Sequence, residues 1–416
     1  MDVAILIGGK GTRTKKISNK IPKPFLKLNN KSIIERQLEN LKFHKKIFLL
    51  SNNKITKYNQ KLSNNNIEIV EEEKPLGNAG CLKKLIKYSR LNDDILIISG
   101  DLVFNLDLKK FENFHKKNKS EITFLVHPND HIIDSDVIEL NNKNQLTKFH
   151  KKPHTKKDIG NLCLSGIMII KKKILNHIKD NKFQDFSKDI LPKLIKNNTK
   201  IYGYNTREYV KDAGTPKRIN SVKKHLKTIK YKKGSLKTKI PAIFLDRDGV
   251  INKEYSNQHY QNPLEVIDGA FDAVKKINEK GFLSVIITNQ SAVAKGVVTI
   301  DRVEKDHKKL EYLFGSQGSY FDRIYYCPYY PIKGFKGEVK KYKKRSSLRK
   351  PNNGMLLKAI KDLNIDAKQS YMVGDRNTDY LAAKKTGVKF LIVGNKFKIK
   401  GKKNFINLRQ AINSTL

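Results

Sequence analysis

Two aspartates one residue apart follow a short apolar run. Ala242–Leu245 leads into Asp246-Arg247-Asp248-Gly249. In such a pair one carboxylate can attack phosphorus while the other handles the leaving-group proton. Thr288 ends the run Leu283–Ile287, and Asp375 follows Tyr371–Val373 and Gly374. Ligands of open α/β sheets bind outside the carboxyl ends of the strands, so Asp246, Thr288 and Asp375 are expected to converge. Asp246 and Asp375 offer hard oxygens for Mg²⁺. The metal would let an anionic nucleophile approach an anionic phosphate. Lys350, in Arg349-Lys350-Pro351, would neutralise the phosphoryl oxygens in transit.

A second set of residues stands near the N-terminus. The run Val3–Ile7 enters Gly8-Gly9-Lys10-Gly11-Thr12-Arg13. Glycines let backbone N–H groups approach phosphates, and the basic residues beside them neutralise charge. Lys23, in Pro22-Lys23-Pro24, adds a second cation. With Arg13 it could flank a triphosphate during phosphoryl or nucleotidyl transfer. Asp101 ends a strand and Asp212 lies in Asp212-Ala213-Gly214-Thr215-Pro216. Two distant carboxylates that meet in space could share a Mg²⁺.

The C-terminal set resembles the haloacid dehalogenase (HAD) superfamily of phosphatases over roughly residues 240–400. Its four signatures stand in order as Asp246–Asn252, Thr288-Asn289-Gln290-Ser291, Arg349-Lys350-Pro351 and Gly374–Asp379. The forms Asp-Arg-Asp-Gly-x-Ile-Asn and Thr-Asn-Gln-Ser are similar to those of heptose 1,7-bisphosphate and histidinol phosphate phosphatases. The resemblance implies Asp246 as nucleophile and Asp248 as general acid/base, with the Asp248 backbone carbonyl and Asp375 completing the metal site. It implies that Thr288 and Lys350 hold the phosphoryl group, and that Asn289, Gln290, Arg349 and Arg376 serve substrate. Such phosphatases usually carry a zinc loop with four ligands. The matching positions here are Cys327, Tyr329, Ser346 and Leu348. One ligand of four remains, where a structural zinc site needs about four. No Zn²⁺ is therefore expected, Cys327 reads as a small buried hydrophobe, and the loop Lys333–Ser347 must be held by other contacts. Ala292-Val293-Ala294-Lys295-Gly296 stands where the family commonly has Gly-Ile-Ala-Arg-Gly.

The N-terminal set resembles the sugar-1-phosphate nucleotidyltransferases over roughly residues 1–225. It comprises Gly-Gly-x-Gly-Thr-Arg, Pro-Lys-Pro, Pro75-Leu76-Gly77-Asn78-Ala79-Gly80, Ser99-Gly100-Asp101, Lys152-Pro153, Ser165-Gly166-Ile167 and Asp212-x-Gly-Thr-Pro. The resemblance implies attack by a sugar 1-phosphate on the α-phosphorus of a nucleoside triphosphate. Gly8, Gly9, Gly11, Thr12 and Gly77 would cradle the nucleotide. Arg13 and Lys23 would stabilise the transition state, Asp101 and Asp212 would bind Mg²⁺, and Lys152 and Gly166 would meet the sugar phosphate. Lys151 replaces the usual glutamate before Lys152, and Asn78 replaces the usual threonine.

These residues need elements that present them. A chain of 416 residues exceeds one ordinary core. Short apolar strands (Val3–Ile7, Lys46–Ser51, Asp94–Ser99) alternate with helical patterns, which argues for a parallel α/β sheet. Ser32-Ile33-Ile34-Glu35 reads as a capping box, with Ile34, Leu38 and Leu41 on one helical face. Residues 223–239 are basic with weak periodicity, a terminal helix running into a linker. The pattern restarts with strands Ala242–Leu245, Leu283–Ile287 and Tyr371–Val373. A helical face of Phe271, Val274 and Ile277 is closed by Gly281, and a helix through Leu381–Lys385 stops at Gly387. Phe390–Val393 is expected to close the sheet. The expected organisation is α/β with two domains: a Rossmann-like nucleotidyltransferase fold over 1–225, a linker over 226–240 and a HAD-like Rossmannoid fold over 241–416.

Composition narrows the partners. The net charge is +45, yet only about a dozen of the 85 basic residues are arginine and the lysines are spread along the chain. That reads as decoration of solvated faces, with some attraction for anionic substrates, rather than as a nucleic-acid stripe. No apolar run reaches the ~18 residues of a membrane helix. The start of the chain lacks the basic region and cleavage site of a signal peptide, and Cys81, Cys163 and Cys327 form no C-x-x-C pair. A cytoplasmic enzyme is expected, with sugar phosphates and a nucleoside triphosphate as partners and neither nucleic acid nor membrane. Its oligomeric state is open. The two chemistries are consecutive: a phosphatase that leaves a sugar 1-phosphate, and a transferase that activates it. D-glycero-D-manno-heptose 1,7-bisphosphate and GTP are the expected substrates, by fold analogy. Another phosphosugar, a degenerate N-terminal domain, and a basic nucleic-acid-binding protein stand as alternatives.

Overall fold

The computed structural model describes residues 1–9, 21–52, 55, 58, 62, 66–88, 91–254 and 264–416. Contacts divide the chain into two units. The first holds Met1–Val126, Leu140–Lys148 and Leu164–Ser235, and the second His127–Glu139, Phe149–Cys163 and Leu236–Leu416. The last change of unit falls within residues 226–240, where a short helix, Ile229–Lys232, also lies. Among the described residues no helix is long and apolar enough to cross a membrane.

The first unit is built on the strand Asp2–Leu6. It lies between Ile47–Asn52 and Asp94–Ser99, parallel to both, and Ile67–Glu72 runs parallel on the outer side of Ile47–Asn52. Val3, Ala4 and Ile5 are fully buried, which is why this run is apolar without alternation. The expectation of a parallel sheet holds only this far. Past the helix Leu108–Lys117 strand follows strand (Ile122–His127, Val137–Leu140, Leu146–His150), and Cys163–Lys171 runs antiparallel to Asp94–Ser99.

The helix Ile33–Leu41 carries the capping box: Glu35 N–H donates to Ser32 Oγ at 3.3 Å, and Ser32 N–H to Glu35 Oε2 at 2.6 Å. Ile34 and Leu41 are buried and Leu38 partly so. The same helix buries Gln37, whose Nε2 donates to Ser99 O at 3.0 Å and to Leu102 O at 2.8 Å. One side chain thus ties both ends of the turn that presents Asp101. Beyond that turn, Leu102–Asn105 pairs antiparallel with Tyr209–Asp212, with Leu102 opposite Asp212.

The second unit has a six-stranded parallel sheet. Its order is Arg323–Cys327, Leu283–Asn289, Ala242–Leu245, Tyr371–Gly374, Lys389–Val393 and Asn404–Phe405. Residues 389–393 therefore do not close the sheet. The two-residue strand beyond them is too short to leave a periodic signal. Alternate residues feed two cores, with Ala242, Phe244, Val285, Ile287 and Met372 on one face. Ile243, Leu245, Ile286 and Val373 lie on the other, against Val274 and Ile277 of the helix Ala270–Lys280. Gly281 and Gly387 end their helices in the left-handed conformation. Residues 127–139 and 149–163, which fall inside the expected 1–225 domain, contribute Ile132, Val137, Ile159 and Cys163 to a small core around Tyr312.

Replacing Gln37 by Leu leaves two buried carbonyls without their donor. Stability should fall by about 1–3 kcal/mol, read as a lower urea midpoint, and nucleotidyl transfer should fall with the loosened Asp101 turn.

Candidate active sites

The carboxyl ends of three neighbouring strands meet in the second unit. Asp246 N–H donates to Val373 O at 3.0 Å, which fixes the nucleophile candidate against the strand Tyr371–Gly374. Asp246 Oδ1 accepts the Arg247 N–H at 2.8 Å and lies 2.8 Å from Lys350 Nζ. Lys350 Nζ also donates to Ile287 O at 2.8 Å and lies 2.6 Å from Asp379 Oδ1. Lys350 is 2% exposed and Asp379 is fully buried. Burial pushes the Asp246 carboxyl up to about 6, assisted by the charges of Asp379 and Asp248 and opposed by Lys350. Burial works against the charge on Lys350, yet Asp246 and Asp379 raise its pKa overall.

Asp248 faces elsewhere. Its Oδ1 accepts from Arg247 Nη2 and Asn252 Nδ2, both at 2.9 Å, and its Oδ2 from Gln290 Nε2 at 2.8 Å. Burial would raise its pKa, but the Arg247 charge and these bonds hold it below the usual carboxylate value. Asp248 therefore rests as a carboxylate, ready to accept a proton. Gln290 also donates to Thr288 Oγ1 at 2.9 Å, so it spans two expected site residues. Asn289 exchanges two bonds with the Lys350 backbone, at 3.0 and 3.1 Å. Both amides, expected at substrate, direct their hydrogen bonds to the site's own residues. Arg376 pairs with Glu254, which also holds Lys396. Arg349 Nη1 donates to Tyr329 O at 3.2 Å.

Among the described residues, Asp246, Asp375 and Asp379 form the group whose ligand atoms all lie within 4.8 Å of one another. Asp375 is 2% exposed, and its Oδ1 is buried without a hydrogen-bond donor. Lys396 Nζ lies 3.0 Å from its Oδ2. Gly249, at φ +85°, makes room: a Cβ there would stand 2.5 Å from Asp375 Oδ2. An orphaned buried oxygen among hard carboxylates suits a cation such as Mg²⁺. The Asp248 side chain lies outside this group, and Asp379, given no role from the sequence, lies within it. Cys327 is fully buried in the core with Tyr329 and Leu348 packed against that cluster.

In the first unit a cavity of about 400 Å³ is lined by Gly8, Gly9, Lys23, Gly77 and Asp101, all expected site residues. Lys23 Nζ lies 3.7 Å from Asp101 Oδ2. Gly77, at φ +78°, allows the Gln184 carbonyl to approach: a Cβ would stand 2.4 Å from it. Asn78 anchors the same approach by accepting the Phe186 N–H at 2.7 Å. A Cβ on Gly214 would lie 2.7 Å from Asp212 Oδ1 and 3.7 Å from Asp101 Oδ2, so the two carboxylates flank one position. Asp212 is paired with Arg218 at 3.0 Å. Gly166, at φ +85°, lies against Ser99, a Cβ there standing 2.9 Å from Ser99 Oγ. Lys152 belongs by its contacts to the second unit, where its Nζ donates to Asp134 O at 2.5 Å. Gly11, Thr12 and Arg13 lie outside the described residues.

Glu72, unremarked in the sequence, also lines the cavity and is 6% exposed. Its Oε2 accepts the Leu76 N–H at 2.8 Å, while Oε1 lies 3.5 Å from where a Cβ of Gly8 would be. Burial pushes its pKa up against that bond and Lys84. The signal was strand alternation: Val70 and Glu72 point inward and Glu71 outward.

Comparisons with known proteins match different parts of the chain to different families. The nucleotidyl transferase family profile matches residues 3–228, more than half of the chain, and a HAD-hydrolase-like profile matches residues 347–398. The D-glycero-β-D-manno-heptose-1,7-bisphosphate 7-phosphatase of Haemophilus ducreyi is 42% identical over 149 residues, 36% of this chain and 79% of that protein. The enzyme of the same name from Vibrio cholerae is 40% identical over 148 residues, 36% of this chain and 77% of its own. The crystal structure of HddC from Yersinia pseudotuberculosis aligns at TM-score 0.47 and 27% identity, over 54% of this chain and 99% of that one.

Replacing Lys350 by Met strands two buried carboxylates and should cost about 3–5 kcal/mol in urea unfolding. Adding Asp379→Asn should recover part of that loss, whereas strictly additive losses would mean that Lys350 and Asp379 do not act as a pair.

Proposed function

We propose, for a chain that belongs to the nucleotidyl transferase family through residues 3–228 and joins to it a HAD-type phosphatase of the heptose-bisphosphate group, that it makes a nucleotide-activated heptose in two consecutive steps. The second unit removes the phosphate at C7 of D-glycero-D-manno-heptose 1,7-bisphosphate. The first transfers GMP from GTP to the resulting heptose 1-phosphate and releases pyrophosphate. The observation that carries the first step is Asp246, buried with one oxygen on Lys350 and beside Asp375. Both steps take place on small molecules, in keeping with a cytoplasmic enzyme.

Asp246 attacks phosphorus through the oxygen that Lys350 does not hold, and an aspartyl-phosphate forms. Once it has left the Arg247 fork, Asp248 takes up a proton from solvent and gives it to the departing C7 oxygen. It then takes a proton from the water that hydrolyses the aspartyl-phosphate, and inorganic phosphate leaves. Lys350 and Thr288 hold the phosphoryl oxygens, and Arg349 and Arg376 take the phosphate that stays on the sugar. Asp246, Asp375 and the Asp248 carbonyl would hold Mg²⁺, which would neutralise the meeting anions. In the first unit Asp101 and Asp212 are the residues for a second Mg²⁺. Gly8, Gly9, Gly11, Thr12 and Gly77 cradle the nucleotide, while Arg13 and Lys23 stabilise charge at the α-phosphate. Gly166 is assigned to the sugar phosphate.

Glu72 supports guanine as the base. A carboxylate accepts two adjacent N–H donors, and guanine offers N1–H beside its 2-amino group. Adenine and cytosine place an amino group next to an acceptor nitrogen, and uracil or thymine presents one N–H between two carbonyls.

The deciding assay supplies α- and β-heptose 1,7-bisphosphate with each nucleoside triphosphate and identifies the nucleotide sugar by mass. Asp246→Asn should lower phosphate release by at least about 10³-fold while pyrophosphate release from supplied heptose 1-phosphate continues. Undiminished phosphate release from that variant would sink the phosphatase assignment. Glu72→Gln should lower kcat/KM for GTP by about 10–100-fold, the loss of hydrogen bonds to a charged acceptor. Inosine triphosphate, which lacks the 2-amino group, should fall behind GTP with the unaltered protein and should not with the variant.

A further inference from the structure

The loop between Cys327 and Lys350 is fastened by a cluster that nothing above uses. Lys343, its side chain 3% exposed, pairs with Glu338 at 3.1 Å and donates to the Ile332 carbonyl. Its ammonium stands 5.4 Å from the Tyr330 ring centroid and 4.8 Å from that of Phe335. Lys295, from the segment after the strand Leu283–Asn289, meets the same two rings at 5.1 and 4.9 Å. Glu338 accepts the backbone N–H groups of Gly334 and Phe335 at 3.1 and 3.3 Å, which closes the loop on itself. Tyr330 N–H donates to Tyr342 O at 3.1 Å, and Val339 N–H to Ala294 O at 3.1 Å.

Arg349 rests on this cluster. Its guanidinium lies 4.7 Å from the Tyr330 ring and donates to the Tyr329 carbonyl. Among the described residues no carboxylate pairs with it. A half-buried guanidinium held by a ring and a carbonyl keeps its full charge for an anion. Arg349 directly precedes Lys350, whose ammonium touches Asp246, so the anion it receives lies on a molecule already engaged at the nucleophile.

We propose that Lys343 is a positioning residue of the phosphatase: buried between Tyr330 and Phe335, it fixes the Tyr329–Tyr330 platform and so orients Arg349 for the phosphate that remains on the substrate. This rests on the reading of the second unit as a sugar-bisphosphate phosphatase. Lys343 touches no substrate itself. Its charge suits the site because two aromatic faces, one carboxylate and one carbonyl surround it. An uncharged side chain of similar length fills the space but loosens both rings.

The test uses the full-length chain and two substrates, heptose 1,7-bisphosphate and p-nitrophenyl phosphate, which has no second phosphate. Lys343→Met should raise KM for the bisphosphate by about 10–100-fold, the usual loss when a residue that only orients a ligand-binding group is removed. Its kcat should stay within about threefold of the unaltered enzyme, and its turnover of p-nitrophenyl phosphate should not change. Lys343→Arg, which keeps the cation over the rings, should restore KM. An unchanged KM in Lys343→Met would overturn the proposal. So would a parallel loss with both substrates, which marks general unfolding, or a failure of Lys343→Arg to rescue. Failure of the underlying reading shows differently: the unaltered enzyme would then turn over p-nitrophenyl phosphate and not the bisphosphate.

Discussion

A buried ammonium between two buried carboxylates organises the phosphatase unit. Lys350 stands 2.8 Å from Asp246 and 2.6 Å from Asp379. None of the three is stable there alone, because an isolated charge in a low-dielectric interior carries a large desolvation cost. The surrounding bonds serve to keep Lys350 in place. Ile287 caps its ammonium, and Asn289 clamps its backbone. The charge count stays unbalanced: three carboxylates (Asp246, Asp375, Asp379) face two ammonium groups, Lys350 and the more exposed Lys396, which leaves one negative charge. That remainder favours a cation, and the donorless Oδ1 of Asp375 is where a ligand oxygen is already available.

The two units use one device at different degrees of enclosure. Each places a lysine against an aspartate where a buried parallel strand ends. In the second unit the pair is sealed from water, so its geometry is preorganised and its electrostatics are strong. In the first, Lys23 and Asp101 are 3.7 Å apart with side chains 14% and 30% exposed, on the wall of an open cavity. A nucleotide with three phosphates needs that room. A single phosphoryl group does not.

Much of this was legible because the strands are short, apolar and followed at once by polar residues. The elements around Asp246, Thr288 and Asp375 could be located from that pattern alone. What escaped notice depends on side-chain direction. Asp379 reads as a first-turn acid of the helix Asn377–Thr386, and only the fold turns it onto Lys350. Glu72 sits in a run of three glutamates, where alternation in the strand Ile67–Glu72 is the sole hint of burial. Asp248 stands out in the sequence, but its fork with Arg247 is a matter of side-chain direction that the sequence does not carry. The mixed sheet of the first unit escaped for another reason: strand direction is set by connections, which periodicity does not record.

Residues 127–139 and 149–163 have a consequence for how the chain acquires its structure. They take part in the core around Tyr312, yet the ribosome delivers them long before the helix Ile300–Ser316 that carries it. Ile132, Val137, Ile159 and Cys163 must wait, with their apolar surface uncovered, until that helix emerges. Contacts so distant in sequence are slow to form, because the intervening loop must close first. The second unit is therefore complete only with segments made early in the chain. Its completion is a late event that reaches back into chain made early, and the interval before it is when the nascent protein is most exposed to aggregation.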